Sequence, residues 1–255
     1  MSEIYDPKGQ FPAIDKLERL HLGSKGRDVR LLQEWLSLHG HKVSVDGVFG
    51  PATADALMVG FGASETTQTV WEALLSPMKL ALATPLMRDD VPFFGDVVVR
   101  FARQHLASHP REVGGQNRGP WVRLYMDGNE GDAWAWCAGF VTFIHKQAHK
   151  SAYWHDDFQA PFRTFSCDRL AEDAKKRGAF ITGGQRVGVR PGDIFLVRGK
   201  VPGDWVHTGF VWDATSTVIR TIEGNTNDEG HRDGYEACMR YRSYTNLDFV
   251  KVRQS

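Results

Sequence analysis

The stretch Trp134-Ala135-Trp136-Cys137-Ala138-Gly139-Phe140-Val141-Thr142-Phe143-Ile144 places a cysteine directly before a strongly apolar run. The run predicts a buried helix, and Cys137 then falls at the amino-terminal end of that helix. Backbone N–H groups at a helix amino terminus carry partial positive charge, which favours a thiolate and lowers the pKa of a cysteine placed there. Most lone cysteines are small buried hydrophobes, so a reactive role for Cys137 also requires a base elsewhere in the chain.

Short strands are predicted downstream of this helix. Apolar or alternating runs cover residues 193–197, 207–212 and 218–225, and turns containing Gly and Asp separate them, which predicts an antiparallel meander. His207 begins the second run, and Glu223 and Asn225 lie at the end of the third. Covalent acyl transfer generally requires a nucleophile, a base and a third polar group that orients the base, and these residues are candidates for the last two roles.

A linker and an amphipathic helix precede the cysteine segment. Residues 84–92 combine two prolines with charged side chains, which is typical of a linker, and a helix is predicted from about Val97 to Ala107. A polar, glycine-rich loop follows at residues 112–120. The pattern therefore predicts a domain at residues 1–83, a linker at 84–92 and a second domain at 93–255.

Three short helices are predicted in the first domain. Val29, Leu32, Trp35 and Leu36 recur at helical spacing, and that helix is expected to end near Gly40. The segment Asp46-Gly47-Val48-Phe49-Gly50-Pro51 supplies two glycines for a tight turn and a proline suited to the first turn of a helix over residues 51–59. An apolar patch at residues 70–75 predicts the third helix. The chain is thus predicted to be α+β, with a small all-α unit before a mixed domain.

Composition excludes several classes of partner. Lys plus Arg and Asp plus Glu each number 31 among the 255 residues, so no net charge favours nucleic acid or an anionic membrane surface. No apolar run approaches the roughly 20 residues that cross a bilayer. The amino terminus lacks the apolar stretch of a secretory signal, so synthesis in the cytoplasm is expected. The three cysteines are too few and too widely spaced for a disulfide framework. Cys167 and Cys238 are interpreted as structural thiols, and a disulfide between them stays an alternative.

The first domain resembles the three-helix peptidoglycan-binding module over roughly residues 17–76. The resemblance rests on two segments, Leu22-Gly23-Ser24-Lys25-Gly26 and Thr69-Val70-Trp71-Glu72-Ala73-Leu74, and on the helical leucines. It also rests on the turn at residues 45–53, which contains Asp46, Gly47, Phe49 and Gly50. It implies that bacterial peptidoglycan is the partner, with Asp46, Gly47, Phe49 and Gly50 as candidate residues of the binding module. Taken without the resemblance, the same residues predict only a small helical bundle.

The second domain resembles the CHAP amidases of the wider NlpC/P60 papain-like superfamily. The matching segments are Trp136-Cys137-Ala138, Gly192-Asp193-Ile194, His207-Thr208-Gly209 and Ile222-Glu223-Gly224-Asn225. The resemblance implies a papain-like α+β domain with helices packed on an antiparallel sheet. It implies Cys137 as nucleophile and His207 as base, with Glu223 and Asn225 as the two candidates for orienting the imidazole.

Four further residues are candidates for contacting a substrate. Arg118 carries a planar donor fork suited to a stem-peptide carboxylate, and its neighbour Asn117 lies in the same loop. Trp136 and Trp205, with Trp134, flank the proposed nucleophile and base and are candidates for the walls of a groove. The alternatives are an ordinary glycine loop for the first pair and core packing for the aromatic rings.

No cofactor and no metal ion are expected. His145 and His149 have the i, i+4 spacing of metal ligands, but the glutamate of the zinc-protease motif is missing, which favours a helix surface. The acidic cluster before the cysteine does not reproduce the spacing of an EF-hand, which favours a solvated loop over a calcium site. The cluster consists of Asp127, Asn129, Glu130 and Asp132.

Together the two resemblances imply a hydrolase that cleaves an amide bond of the peptidoglycan stem peptide or the muramoyl-L-alanine linkage. It is expected to act on the wall after release or delivery, as a phage endolysin or as a secreted effector with an immunity protein or secretion machinery as further partners. Neither nucleic acid nor membrane insertion is expected. The two alternatives are a catalytically inactive wall-binding protein and a papain-like enzyme for another acyl substrate.

Overall fold

The computed structural model describes residues 5–85, 93–151, 162–183, 188–227 and 234–252. These residues form seven α-helices and a six-stranded sheet in which every strand pair is antiparallel. The predicted α+β class is therefore confirmed. No helix within the described residues has both the length and the apolar character that crossing a membrane takes.

The amino-terminal part is the predicted helical bundle. Its helices are α1 (Arg27–Leu38), α2 (Pro51–Phe61) and α3 (Gln68–Leu82), preceded by a short 3-10 turn at Ile14–Lys16. Pro51 occupies the first turn of α2, and Gly62 ends that helix in the left-handed conformation, where a residue without Cβ is favoured. The third helix begins two residues before the predicted patch, after the capping hydroxyl of Thr67, which accepts a hydrogen bond from the Val70 N–H, and it extends seven residues beyond the patch to Leu82.

Four helices and six strands build the larger part. The helices are α4 (Phe94–Ala107), α5 (Pro120–Tyr125), α6 (Cys137–Lys150) and α7 (Cys167–Lys176). The strands are β1 (Phe180–Ile181), β2 (Ile194–Arg198), β3 (Trp205–Ala214), β4 (Val218–Thr226), β5 (Glu236–Ser243) and β6 (Leu247–Val250), in the spatial order β1-β6-β2-β3-β4-β5. The predicted meander corresponds to β2, β3 and β4, and Cys137 is the first residue of α6.

Helix α6 packs on β3 and β4, with Phe140 against Phe210 at a ring distance of 6.4 Å. Phe210 and Ile222 belong to the main core, whereas Phe195 and Val211 belong to a smaller cluster on the other side of the sheet. The helix that begins at Cys137 therefore lies directly on the two strands that carry His207 and Glu223.

The bundle packs against the larger part through one continuous core. Trp35 of α1 meets Trp121 of α5 with ring centroids 6.1 Å apart, and the Arg123 guanidinium donates to both oxygens of Glu34 at 3.0 and 2.6 Å. The Gln147 amide of α6 donates to the Ala81 carbonyl at 2.9 Å. The predicted linker, 84–92, lies mostly outside the described residues, but these contacts show that the two parts are packed together.

Candidate functional site

Helix α6 begins directly after a buried, stacked pair of aromatic rings. Trp136, the residue before Cys137, is fully buried and stacks on Tyr125 with ring centroids 5.5 Å apart and an interplanar angle of 10°. Its indole N–H donates to the Glu112 carboxylate at 2.9 Å. A Cβ at Gly139 would lie 2.7 Å from the Tyr125 carbonyl oxygen, so only glycine permits this approach of α5 to the first turn of α6.

A second glycine lets α6 approach the sheet. A Cβ at Gly224 would lie 2.7 Å from side-chain atoms of Phe140 and 2.8 Å from the Trp136 ring. The backbone of β4 therefore touches the first turn of α6 without an intervening side chain. The Ile222-Glu223-Gly224-Asn225 segment thus contributes to the position of Cys137 as well as supplying Glu223.

His207 is oriented by Glu223. The imidazole Nε2 lies 2.8 Å from a Glu223 carboxylate oxygen, and Arg242 donates to the two oxygens of the same carboxylate at 2.6 Å each. The Thr221 hydroxyl donates to it at 2.5 Å. Glu223 is completely buried, so these charge-assisted bonds fix both its ionised form and its rotamer.

Gly209 provides the space for this contact. A Cβ at Gly209 would lie 3.0 Å from Glu223 Cγ, 2.7 Å from the Ile222 carbonyl oxygen and 2.8 Å from the Phe195 ring. Any larger residue there would displace the carboxylate or the strand that carries it. Glycine is therefore required in the His207-Thr208-Gly209 motif because the Glu223 side chain occupies the space beside it.

Because Nε2 is taken by Glu223, Nδ1 is the ring nitrogen available to a reacting proton. Nδ1 is buried and has no hydrogen-bond partner among the described residues. Cys137 and His207 nevertheless lie close enough that each shifts the pKa of the other. Catalytic hydrogen bonds are often long before a substrate binds, so this geometry is compatible with proton transfer in a substrate complex.

The electrostatics favour a thiolate–imidazolium pair. A hydrogen bond with Cys167 is the largest influence that holds the pKa of the Cys137 thiol well below its usual value; burial opposes it, and His207 and the Ala138 N–H add to it. Burial lowers the pKa of His207, but the nearby Cys137 and the hydrogen-bonded Glu223 outweigh burial and raise that pKa to about 9. Both pKa shifts favour the charged pair, in which His207 carries the proton.

The site is nearly closed to solvent. Cys137 is 5% exposed and His207 is 4% exposed. Cys167, the first residue of α7, lies beside the nucleophile with its sulfur 3.8 Å from that of Cys137.

Asn225 lies at the end of β4 but does not contact the imidazole in the way Glu223 does. It has a positive φ of 54°, is 2% exposed, and its side-chain oxygen has no hydrogen-bond partner among the described residues. The structure thus assigns the orienting contact to Glu223. A role of Asn225 in catalysis stays a prediction.

The predicted substrate-binding residues differ in exposure. Arg118 is exposed, whereas Asn117 is buried and donates its backbone N–H to Glu112 at 2.7 Å. Trp136 and Trp205 are 0% and 8% exposed and belong to the core, and their roles in a substrate groove stay predictions. Trp134, which is half-buried, packs edge-on against Phe165.

One residue of the acidic loop that was predicted to be solvated, Glu130, makes structural contacts. Glu130 pairs with Arg123 at 2.8 Å and accepts the Gly119 N–H at 2.9 Å. His145 is buried rather than on a helix surface, and burial, followed by the nearby His149 and Arg177, lowers its pKa to about 3. Within the described ranges, no three His, Cys, Asp or Glu side chains are placed to hold a metal ion.

In the bundle, the Asp46-Gly47-Val48-Phe49-Gly50 turn is organised by Gln33. The Gln33 amide donates to Asp46 at 2.8 Å and to the Val48 carbonyl at 3.0 Å, and its oxygen accepts the Gly47 N–H at 2.8 Å. Phe49 is 1% exposed, whereas Asp46 and Val48 are exposed and Gly50 is half-buried. Of the four predicted module residues, Asp46 and Gly50 thus have accessible surface, and Phe49 belongs to the core.

Residues 27–84 match a family model described as a predicted peptidoglycan domain. The match covers the three helices of the bundle and supports the predicted peptidoglycan-binding module and association with the cell wall. Neither the search of curated proteins nor the search of solved structures gives a match to this chain.

Three residues of the site were not recognised in the sequence as part of it. Arg242 and Thr221 join it only through strand register, which no sequence motif marks. Cys167 was interpreted as a structural thiol. Its position was nevertheless signalled, because Ser166 is a capping residue before it and Lys175, Lys176 and Gly178 mark the end of a helix.

Proposed function

We propose that this protein is a cysteine-dependent peptidoglycan hydrolase that cleaves an amide bond of the stem peptide or the muramoyl-L-alanine linkage. The observation that carries the proposal is the Cys137, His207 and Glu223 arrangement, with Cys137 at a helix start and the His207–Glu223 contact at 2.8 Å. It occurs in the same chain as a bundle that matches a peptidoglycan domain family. The papain-like order of these residues supports the same conclusion.

The reaction begins with the charged pair. The Cys137 thiolate attacks the amide carbonyl carbon, and the carbonyl electrons move to oxygen to give a tetrahedral oxyanion. His207 then donates the Nδ1 proton to the departing amine, and the C–N bond breaks to leave a thioester. His207, now neutral, takes a proton from water, whose oxygen attacks the thioester and releases the carboxylic acid and the thiolate.

The surrounding residues have separate parts in this scheme. Glu223 holds the Nε2 proton, which keeps Nδ1 pointed at the reacting atoms and stabilises the imidazolium. Arg242 keeps Glu223 ionised. The amino terminus of α6 stabilises negative charge, and we assign the oxyanion to the backbone N–H of Cys137, which belongs to the same residue as the attacking sulfur.

The bundle provides the reason for a wall substrate. Holding a catalytic domain at an insoluble polymer raises its local concentration, so even weak binding increases turnover. In this protein the bundle is packed onto α4, α5 and α6, and its binding surface therefore has a fixed position relative to Cys137.

The test is release of new amino groups from purified sacculi. Wild-type protein should release amines, and Cys137→Ala should lose this activity while still binding the walls. The control is Cys238→Ser, a nearly isosteric change at the third cysteine, which is paired with Glu223 across β4 and β5 and should keep the activity. Mass spectrometry of the released muropeptides identifies the cleaved bond. Binding without release by wild type would establish an inactive wall-binding protein, and failure to bind walls would favour another acyl substrate.

A further inference from the structure

A second thiol lies beside the proposed nucleophile. The sulfur atoms of Cys137 and Cys167 are 3.8 Å apart, and both residues are buried, at 5% and 8% exposure. Each is the first residue of a helix, Cys137 of α6 and Cys167 of α7. Two sulfur atoms at two helix starts thus face one another next to the imidazole of His207.

The start of α7 is fixed in this position from three directions. The Ser166 hydroxyl caps the helix by accepting the Arg169 N–H at 3.4 Å. Asp168 accepts the backbone N–H of Trp205 at 2.7 Å, which attaches α7 to the strand that carries His207. The Thr142 hydroxyl of α6 donates to the Thr164 carbonyl at 3.1 Å. The juxtaposition of the two helix starts is therefore built by the fold.

We propose that Cys137 and Cys167 form a reversible disulfide when the protein meets a hydroperoxide, and that Cys167 is the residue that resolves the oxidised nucleophile. This inference rests on the proposed function for its consequence, the loss of hydrolase activity. The thiol chemistry itself does not depend on that function.

The reaction balances in two steps. The Cys137 thiolate attacks one peroxide oxygen, the O–O bond breaks, and Cys137 becomes a sulfenic acid while water or an alcohol leaves after protonation. The Cys167 sulfur then attacks the sulfenic sulfur, the S–O bond breaks, and a second water leaves as the S–S bond forms. Two thiols lose two electrons and two protons in total, and the peroxide is the species reduced.

The required movement is small. A disulfide needs its sulfur atoms about 2.05 Å apart, so the pair must close by less than about 2 Å from its present separation. A reducing dithiol reverses the reaction by exchange. The bond would block the nucleophile while it lasts, and it would protect Cys137 from the irreversible sulfinic and sulfonic states.

The test counts thiols and masses on full-length protein treated with hydrogen peroxide. The chain has three cysteines, so wild type should go from three titratable thiols to one after denaturation, with a mass loss of about 2 Da and a peptide that links positions 137 and 167. Dithiothreitol should restore three thiols. The link should be intramolecular, so its rate should not change with protein concentration.

Two variants provide the controls. Cys238→Ala should still form the 137–167 link, whereas Cys167→Ser should give no mass loss and should instead gain about 16, 32 or 48 Da at Cys137. Equal oxidation products in wild type and Cys167→Ser would overturn the proposal, as would a link that uses Cys238.

The thiol count is read without any activity measurement. A wild type that forms the link but never releases amines from walls would therefore contradict only the hydrolase, whereas an active enzyme without the link would contradict only the disulfide.

Discussion

Replacing Glu223 with Gln should separate the contribution of its charge from that of its shape. The carboxylate is buried and contacts His207 at 2.8 Å and Arg242 at 2.6 Å through two nitrogens. Glutamine has nearly the same volume but is neutral, and one of its oxygens becomes an N–H₂ donor directed at other donors. The Glu223→Gln variant therefore leaves a half-buried guanidinium and a buried imidazolium without their counter-charge.

The magnitude follows from the pKa of Glu223. Burial raises this pKa, but the hydrogen bonds and charges of Arg242 and His207 outweigh it and lower the pKa from 4.5 to about 2. A difference of this size corresponds to about 3 kcal/mol of stabilisation of the carboxylate, which agrees with the roughly 3–5 kcal/mol lost when one partner of a buried ion pair is removed. Activity should fall by about 10³-fold or more, because the imidazole loses its orienting acceptor.

The pH dependence of the unfolding free energy gives a more specific test than the loss of activity. A lowered pKa gives stability that is present above pH 4.5 and is lost as the pH falls toward 2. Urea unfolding at pH 7 should therefore show the full difference of about 3 kcal/mol between wild type and Glu223→Gln, and the difference should shrink as the pH approaches 2.

The matched control is Glu236→Gln on β5. Its carboxylate lies 3.3 Å from His109, whose side chain is 61% exposed, so the loss should stay below about 1 kcal/mol. Equal destabilisation by the two substitutions, or a Glu223→Gln variant with wild-type rates of Cys137 alkylation and amine release, would refute the assignment of Glu223.

Three further predictions follow from the same geometry. Amine release should decline as the pH rises through about 9, because His207 then loses the proton that the leaving amine needs; an undiminished rate at higher pH would contradict the charged pair. Gly209→Ala should lower the rate on soluble muropeptides by about tenfold or more, because its Cβ would lie against the Glu223 side chain. Gly50→Ala, whose Cβ would meet no atom within 4 Å, should not lower that rate, and equal rates for the two variants would contradict the steric argument. Arg123→Gln should lower the urea-unfolding free energy by about 3 kcal/mol through loss of the bundle contact, and the exposed Arg19→Gln by less than about 1 kcal/mol, so similar losses would argue against the interface.

The local elements near the site were predictable because each has a local cause. The helix that starts at Cys137 follows from an uninterrupted apolar run, and the strand of His207 follows from a short β-rich run bounded by turns. Gly50-Pro51 marks the start of α2 in the bundle. In each of these cases the residues that determine the element lie within one or two turns of it.

The features that were missed depend on contacts between distant segments. Arg242 reaches Glu223 only because β4 and β5 pair in register, and Cys167 reaches Cys137 only because α7 docks on β3 through Asp168. The burial of Trp136 and Trp205 was likewise not determined by residue type, since an aromatic ring fits either a groove or a core. Register and docking are set by the whole fold, and a single sequence does not specify them locally.

The packing of the bundle changes how wall binding would assist catalysis. The short helix α5 contacts the bundle at one end, where Trp121 meets Trp35. At its other end α5 contacts the start of α6, where Tyr125 stacks on Trp136. A flexible tether would let the catalytic site sample many bonds around one anchor point. A bundle packed on α4, α5 and α6 instead fixes the distance and direction from the bound polymer to Cys137, so under the proposed function the bonds cleaved should be those at one set offset from the point of attachment.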